Sequence, residues 1–477
     1  MTQRWIMRGF DAALLACALL AVLGSALLAG GATVPDWLLP TTLLGGTALA
    51  LARRRPPAPP LDPTTAPPRR WAIVLLALLA LATFALMVYG SLATPSRQWD
   101  GAVAWDLKAR FLTDAPTLQQ PFFDDRGVLH HSRDYPLLQP LLVALVERTC
   151  GGGRVVLAAS WLLACAAVFL AALRRGAPLL RAAMLALAFG TTPTLVTSSS
   201  GGVDSGYADF LLATWMTVAG AGIAARDRLW ITLGVTLMVL TKPEGLPYAW
   251  ALLAAAWLTA SRAVLLPTAI GLVIGAATLL PLQHRLLHPD QPTLTWTVAL
   301  AALAPSVLAL GSDTVVRRIG GATLRRGLGV GALLLVVLVL PWMLERTGNA
   351  KGSLARYLLL GPELFARLDR LPAFALALGE YSLLHGSFAL TLPLLALAWW
   401  QRRGRRDADG SLGLWLALLL PLWLVTFLAS DIELSRHLRS RLPRLLIHGC
   451  GAAWIYVLTA WPRRDLTSAD AVAQRDD

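Results

Sequence analysis

The chain is 477 residues long, 56% hydrophobic and 15% charged, with a mean hydropathy of +0.59 and a formal net charge of +14. Soluble domains carry roughly a quarter charged residues, so this composition excludes an ordinary soluble globular protein. Nor does the positive charge imply nucleic acid, because the arginines sit in short segments between apolar blocks, as a positive-inside bias distributes them.

In chain order, Arg4 and Arg8 precede a first apolar run. Secretory leaders share that pattern, but a second run from Trp37 to Leu51 follows at once and favours an uncleaved span. Later blocks such as Trp71–Tyr89 and Gly327–Leu344 approach the ~20 apolar residues that cross a bilayer core. They do not alternate as barrel strands do, and a helix satisfies its own backbone in lipid. The fold class expected is all-α, a polytopic transmembrane helical bundle of about 12–14 spans with a structured first outward loop. The expected limits are 12–30, 36–52, 71–91, 154–173, 178–197, 207–224, 229–243, 245–260, 263–283, 293–310, 327–344, 383–400, 411–429 and 444–461.

These spans place the basic clusters on one side: Arg53–Arg55 with Arg69 and Arg70, Arg174 and Arg175, Arg226 and Arg228, Arg317 to Arg326, Arg402 to Arg406, and Arg463 with Arg464. The positive-inside rule makes that side the cytoplasm, with both termini on it. Residues 1–55 then hold two extra N-terminal spans, and 56–70 form a Pro-rich cytoplasmic linker (PPAPPLDPTTAPP). Residues 71–461 form a transmembrane unit with outward loop 92–153, and 462–477 a cytoplasmic tail. Tyr135 to Val146 is about 12 residues, too short to cross, and is expected as a helix at the outer surface or re-entrant, with Pro136 in its first turn. Cys17, Cys150, Cys165 and Cys450 form no CxxC, so neither a zinc site nor a disulfide framework is indicated.

Four segments expected at or near the outward face are candidates to carry chemistry. The first loop opens R-Q-W-D-G-A-V-A-W-D-L-K-A-R and closes H-H-S-R-D-Y-P-L-L-Q-P-L. It concentrates Trp99, Asp100, Trp105, Asp106, Lys108, His131, Asp134 and Tyr135, more than a connector needs. For Trp99 and Trp105 an interfacial aromatic belt competes evenly with a binding role. T-K-P-E-G at 241–245 sets Lys242 and Glu244 between two apolar blocks, where retaining charge is costly; a tight turn with a snorkelling lysine is the equal alternative. S-R-H-L-R-S-R-L-P-R-L-L at 435–446 is a basic run against the positive-inside trend. Its arginines suit phosphate oxygens, or else anionic headgroups. In S-S-S-G-G-V-D-S-G-Y-A-D, 198–209, Asp204 and Asp209 are available to a metal or a sugar, although a plain polar turn is the simpler reading. There is no P-loop, GxSxG, HExxH or GxGxxG, so ATP-driven transport and soluble-type hydrolysis have no support.

Three of these motifs, in this order, resemble polytopic glycosyltransferases of the GT-C type. The resemblance is in particular to the bacterial group related to lipopolysaccharide-core galacturonosyl- and mannosyltransferases, and to aminoarabinose and protein mannosyl transferases. The matches are W-D-x-x-x-x-W-x-x-K-A (Trp99, Asp100, Trp105, Lys108, Ala109) with D-Y-P-L-L-x-P-L from Asp134, then T-K-x-E-G at 241–245, then His437, Leu438, Ser440, Leu442, Arg444 and Leu445. They frame about residues 71 to 461, with the spans at 12–52 as an addition. Pro243, Arg441, Pro443 and the spacing of His131 depart from the pattern. The resemblance implies a GT-C-like fold and transfer of a sugar from a polyprenyl-phosphate donor to a lipid, glycan or protein acceptor. The reaction would take place on the outer face of the bacterial cytoplasmic (inner) membrane. It implies Asp100 as the catalytic base and Lys242 near the lipid phosphate. Trp99, Trp105, Asp106, Lys108, His131, Asp134, Tyr135, Glu244, His437, Arg441 and Arg444 are the further substrate-binding candidates. A divalent metal is left open, with no cofactor assigned; membrane lipids are partners and nucleic acid is not. The alternatives in kind are a transporter or flippase of lipid-linked saccharides and a non-catalytic envelope-assembly protein.

Overall fold

A computed structural model describes residues 2–54, 70–93, 101–124, 135–196, 202–287, 306–313, 367–381, 388, 391–402, 408–428 and 433–460. Every regular element among these residues is helical. The main helices are α1 (Thr2–Ala29), α2 (Leu38–Ala52), α3 (Arg70–Ala93), α4 (Leu107–Asp114), α5 (Leu138–Cys150), α6 (Val155–Arg174) and α7 (Leu179–Gly190), followed by α8 (Ala208–Ala225), α9 (Arg228–Thr241), α10 (Gly245–Leu258) and α11 (Arg262–Leu287). The last four are α12 (Leu371–Gly379), α13 (Thr391–Arg402), α14 (Ala408–Leu428) and α15 (Leu434–Ala460). The expected spans at 293–310 and 327–344 lie wholly or mostly outside the described residues.

Six of the described helices are long and apolar enough to cross a membrane, within α1, α3, α6, α8, α11 and α14. Their surfaces are those of a protein solvated by lipid. On α3, Leu81, Leu86 and Tyr89 are 63%, 66% and 70% exposed, an apolar face that water would not tolerate at this size. The chain is a multi-pass membrane protein.

The centre of the bundle is α8. Every residue from Ala208 to Ala224 is buried, and its neighbours are α6, α9, α14 and α15. Such all-round burial needs small residues where backbones meet. At Gly234 of α9 a Cβ would stand 2.7 Å from the amide nitrogen of Ala219 on α8, so only glycine lets these two helices close up. The N-terminal pair is not peripheral to this packing: α1 lies against α2, α9 and α11.

Residues 229–243 and 245–260 were expected as two full spans. They fold instead as α9 and α10, 14 residues each and so about 21 Å long, short of the ~30 Å hydrocarbon core. The physical reason lies in their junction. Pro243 clashes with a helical residue before it, and Lys242 accordingly has extended geometry (φ −151°, ψ 153°). The chain restarts at Gly245, where a Cβ would overlap the carbonyl oxygen of Met238. The segment expected as a helix at the outer surface or re-entrant, Tyr135–Val146, is α5, which starts two residues after Pro136 and is buried from Leu138 to Leu145.

The first long loop is structured where it is described. A π turn at Gly101–Asp106 leads into α4, and α4 packs on α5. Phe111 and Phe122 stack with centroids 3.8 Å apart. Gln120 closes the following turn, donating Nε2 to the carbonyls of Thr117 (2.8 Å), Phe111 (3.2 Å) and Ala115.

Candidate functional site: a buried aspartate with three basic neighbours

Asp209 stands in the first turn of α8, 1% exposed. A carboxylate there faces the positive end of the helix dipole. That alone does not offset burial, and the fold supplies three more partners. Lys242 Nζ donates to Oδ1 at 2.8 Å from the α9–α10 junction. Arg444, on α15, donates Nη2 (2.9 Å) and Nε (3.2 Å) to Oδ2. His448, one helical turn further along α15 and on the same face, has Nε2 at 2.8 Å from Oδ1. Residues 33, 235 and 239 positions away in sequence thus meet one carboxyl group.

Two layers surround this centre. On one side Glu244 Oε1 accepts from Lys242 Nζ at 3.3 Å, and the Glu244 side chain retains 22% exposure. Behind His448, Tyr248 Oη lies 3.0 Å from Nδ1; Trp423 Nε1 donates to that hydroxyl at 3.0 Å, and Trp415 Nε1 to the Tyr248 carbonyl at 2.9 Å. On the other side is an aromatic layer. The Arg444 guanidinium sits 3.9 Å from the ring centroid of Tyr207, a cation–π stack. Tyr207 clusters with Ala104, Trp105 and Ala208, against which Tyr135 packs. The rings of Trp105 and Tyr135 are 5.5 Å apart, and Lys108 Nζ is 5.7 Å from the Tyr135 ring. Lys108 is fully buried, as is Trp105 at 1% exposure. Gln139 ties α5 to the start of α8 by donating Nε2 to the carbonyl of Gly206 at 2.7 Å.

The candidates read from sequence distribute as follows. Lys242, Glu244 and Arg444 come together around Asp209. Trp105, Lys108 and Tyr135 form the adjoining aromatic layer. Asp106 turns elsewhere, 3.8 Å from Arg154 Nε. His437 packs its ring on Phe427 (4.9 Å), nearly two turns before Arg444, and Arg441 is half-buried on the same helix. Trp99, Asp100, His131 and Asp134 lie outside the described residues. Among the described residues no group of three His, Cys, Asp or Glu side chains is placed to hold a metal ion.

His448 and Tyr248 were not singled out by the motifs. A histidine inside the apolar run L-L-I-H-G-C reads as core, and the only signal is that it lies four residues after Arg444. Asp209 was noted, with a polar turn preferred; its signal is that it sits one residue inside a long apolar helix, where a carboxylate is rarely kept without partners.

These features define a class: a multi-pass helical membrane protein with a buried acidic–basic cluster at one end of its central helix. No family model matches the chain, and no curated protein matches it. Two solved structures are similar to it. One is the archaeal oligosaccharyltransferase AglB from Archaeoglobus fulgidus in complex with an inhibitory peptide and a dolichol-phosphate, with a TM-score of 0.45 and 14% identity over 82% of this chain and 50% of that one. The other is an Archaeoglobus fulgidus oligosaccharyltransferase in complex with Zn and sulfate, with a TM-score of 0.43 and 14% identity over 80% of this chain and 48% of that one. The chain spans about half the length of the solved structures it matches.

Proposed function

We propose that this protein is a membrane glycosyltransferase that moves a sugar from a polyprenyl-phosphate carrier to a lipid, glycan or protein acceptor on the outer face of the bacterial cytoplasmic membrane. The observation that carries the reading is the convergence of Lys242, Arg444 and His448 on buried Asp209, beside the aromatic layer of Trp105, Tyr135 and Tyr207. A lipid-linked sugar presents these two surfaces with matching needs. Its phosphate takes charge-assisted hydrogen bonds from lysine and arginine, and its sugar presents C–H faces that aromatic rings cover.

The reaction is an inverting displacement. The acceptor hydroxyl oxygen forms a bond to the anomeric carbon as the bond from that carbon to the phosphate oxygen breaks. The carrier leaves as a lipid phosphate, whose growing negative charge falls beside Lys242 and Arg444. A general base takes the hydroxyl proton. Asp209 is poorly suited to that task, because both its oxygens already accept from Lys242, His448 and Arg444. Asp100 keeps the role that the family pattern implies. Its π-turn neighbours Gly101–Asp106 lead straight into the aromatic layer. In this reading residues 71–461 are the catalytic unit and α1 and α2 brace it, with the linker 56–70 and the tail 462–477 in the cytoplasm.

Transport of lipid-linked saccharides is the alternative in kind. It asks for ionisable groups along the middle of the bundle. On α8 the sole ionisable residue is Asp209, in the first turn.

Purified protein in lipid nanodiscs, given polyprenyl-phosphate sugars and a mixed acceptor pool, tests the proposal. Transfer is expected, and Asp100→Asn is expected to bind donor but lose about 10²–10⁴-fold in turnover. Near-normal turnover in Asp100→Asn, Asp106→Asn and Asp134→Asn alike overturns the mechanism, and absence of transfer to any acceptor overturns the function.

A further inference from the structure

The hydrogen bonds behind Asp209 have a direction. An indole N–H only donates, so Trp423 Nε1 gives its proton to Tyr248 Oη. His448 Nε2 faces a carboxylate oxygen at 2.8 Å, which requires a proton on that nitrogen. The remaining link is Tyr248 Oη to His448 Nδ1 at 3.0 Å. The groups facing His448 include Asp209 directly, Lys242 and Glu244 from the α9–α10 junction, and Arg444 one turn earlier on α15. With Lys242 and Arg444 set against Asp209 and Glu244, the formal charges already balance, and a charged imidazole would upset that balance in a buried site.

We infer that Trp423, Tyr248 and His448 form a one-way donor chain that ends on Asp209, with His448 a neutral imidazole carrying its proton on Nε2 and accepting from Tyr248 on Nδ1. The chain runs from α14 through α10 to α15 and then α8, so four helices fix one carboxyl rotamer. Its consequence rests on the proposed function. By holding Oδ1 for His448 and Lys242 and Oδ2 for Arg444, the chain sets the separation and aim of the two cations that receive the donor's phosphate. Tyr248 and His448 are positioning residues. A ring that only filled space would need neither hydroxyl nor ring nitrogen in this register.

Two measurements separate this inference from the functional reading beneath it. The first is the ¹⁵N spectrum of protein labelled at its seven histidines, with the His448 signals assigned by their loss in His448→Gln. The expected signature at neutral pH is one protonated nitrogen, Nε2, and one bare nitrogen, Nδ1. An imidazolium or the opposite tautomer overturns the chain, whatever reaction the protein catalyses. The second is binding of a polyprenyl monophosphate carrying no sugar, followed by tryptophan fluorescence in nanodiscs. Tyr248→Phe is expected to weaken binding about three- to tenfold. His448→Gln, whose amide nitrogen can still donate to Asp209 but which loses the link to Tyr248, is expected to weaken binding to a similar degree. Adding Tyr248→Phe to His448→Gln should then cost nothing further, because the link it removes is already gone. Additive losses, or unchanged binding in Tyr248→Phe, overturn the positioning role. Should Tyr248→Phe fold poorly, Trp423→Phe removes the first donor at a greater distance and is read in the same way. Failure of sugar transfer alongside intact binding and tautomer would sink the enzyme reading and leave the chain standing.

Discussion

The two ends of α8 handle buried charge in opposite ways. At the end marked by Asp227, just past Ala225, arginines and aspartates are matched. Arg53 donates Nη1 to Asp11 Oδ2 (2.9 Å) and Nη2 to Asp227 Oδ1 (2.7 Å), while Arg174 reaches Asp227 Oδ2 at 3.3 Å. Asp11 Oδ1 also accepts from Trp230 Nε1 at 2.7 Å, and Asp227 caps α9 by accepting from the amides of Leu229 and Trp230. Nearby, Arg175 grips Asp409 with two parallel bonds of 2.9 and 3.1 Å. These contacts join α1, the end of α2, α6, α9 and α14: Arg53 bridges two acids and Arg175 holds one with two bonds. At the Asp209 end a single carboxylate gathers a lysine, an arginine and a histidine, and the buried rings of Trp105 and Tyr207 pack beside them. Matched pairs staple helices together. At the Asp209 end Lys242 and Arg444 are balanced by Asp209 and Glu244, but the Glu244 side chain keeps 22% exposure, so part of that bonding can be exchanged for a ligand's anion.

The largest effect should come from removing the acid at each end. Asp209→Asn removes the carboxylate that Lys242 and Arg444 share and leaves Lys242 its longer 3.3 Å bond to Glu244, which is expected to cost about 3–5 kcal/mol of stability. Sugar transfer and donor binding should both collapse. Asp227→Asn is expected to cost less, about 1–3 kcal/mol, since Arg53 keeps Asp11. Transfer per folded molecule should stay normal there. Thermal unfolding in nanodiscs and turnover normalised to folded protein make the comparison. Equal loss of normalised turnover in both variants would erase the functional difference between the two ends.

Removing one cation sharpens the contrast. Lys242→Met keeps length and apolar bulk, and lost phosphate contacts should raise the apparent donor KM with a penalty of about 1.5–3 kcal/mol. Arg53→Met, its counterpart, should lower stability and leave donor KM alone. If Lys242→Met folds and its donor kinetics are unchanged, the T-K-P-E-G segment is a turn and nothing more.

How much of this was legible beforehand follows from the same comparison. The all-helical membrane fold was readable because apolar blocks and arginine punctuation are local signals. Lys242 and Glu244 stand out because they interrupt apolar blocks, and Arg444 because its basic run opposes the positive-inside trend. What joins them does not, since Asp209 lies 33 residues from Lys242 and 235 from Arg444, and no periodicity encodes such a meeting. His448 and Tyr248 were hidden by chemistry that passes for core. The basic clusters carried a second meaning as well. Arg53, Arg174 and Arg175 mark topology, yet each is also paired with Asp11, Asp227 or Asp409, acids that single-residue reading treats as ordinary. The shortness of α9 and α10 was in principle visible in K-P-E-G, where Pro243 forbids a helical Lys242.

The smallest effect belongs to a pair at neither buried centre. Asp36, in the turn between α1 and α2, accepts from Arg148 Nε (2.6 Å) and Nη2 (3.0 Å), and Arg148 also donates to the carbonyl of Thr113 at 2.9 Å. The hydrogen bond from Arg148 holds the Asp36 carboxyl below its ordinary range. A carboxyl depressed on folding stabilises the folded state above its unfolded pKa of about 3.9, and that contribution fades as pH falls through the lower folded value. The side chain is open to water, so screening keeps the contribution slight. Asp36→Asn should therefore lower the melting temperature only marginally at pH 7 in low salt. The gap should shrink further below about pH 4, or in molar salt, where the Debye length is about 3 Å. Arg148 retains its bond to Thr113 in the variant, so α5 should keep its seat and sugar transfer its rate. A melting shift as large as that of Asp227→Asn would mean that bidentate geometry at an exposed turn rivals a buried staple. Burial would then no longer separate a staple between helices from a pair at the surface.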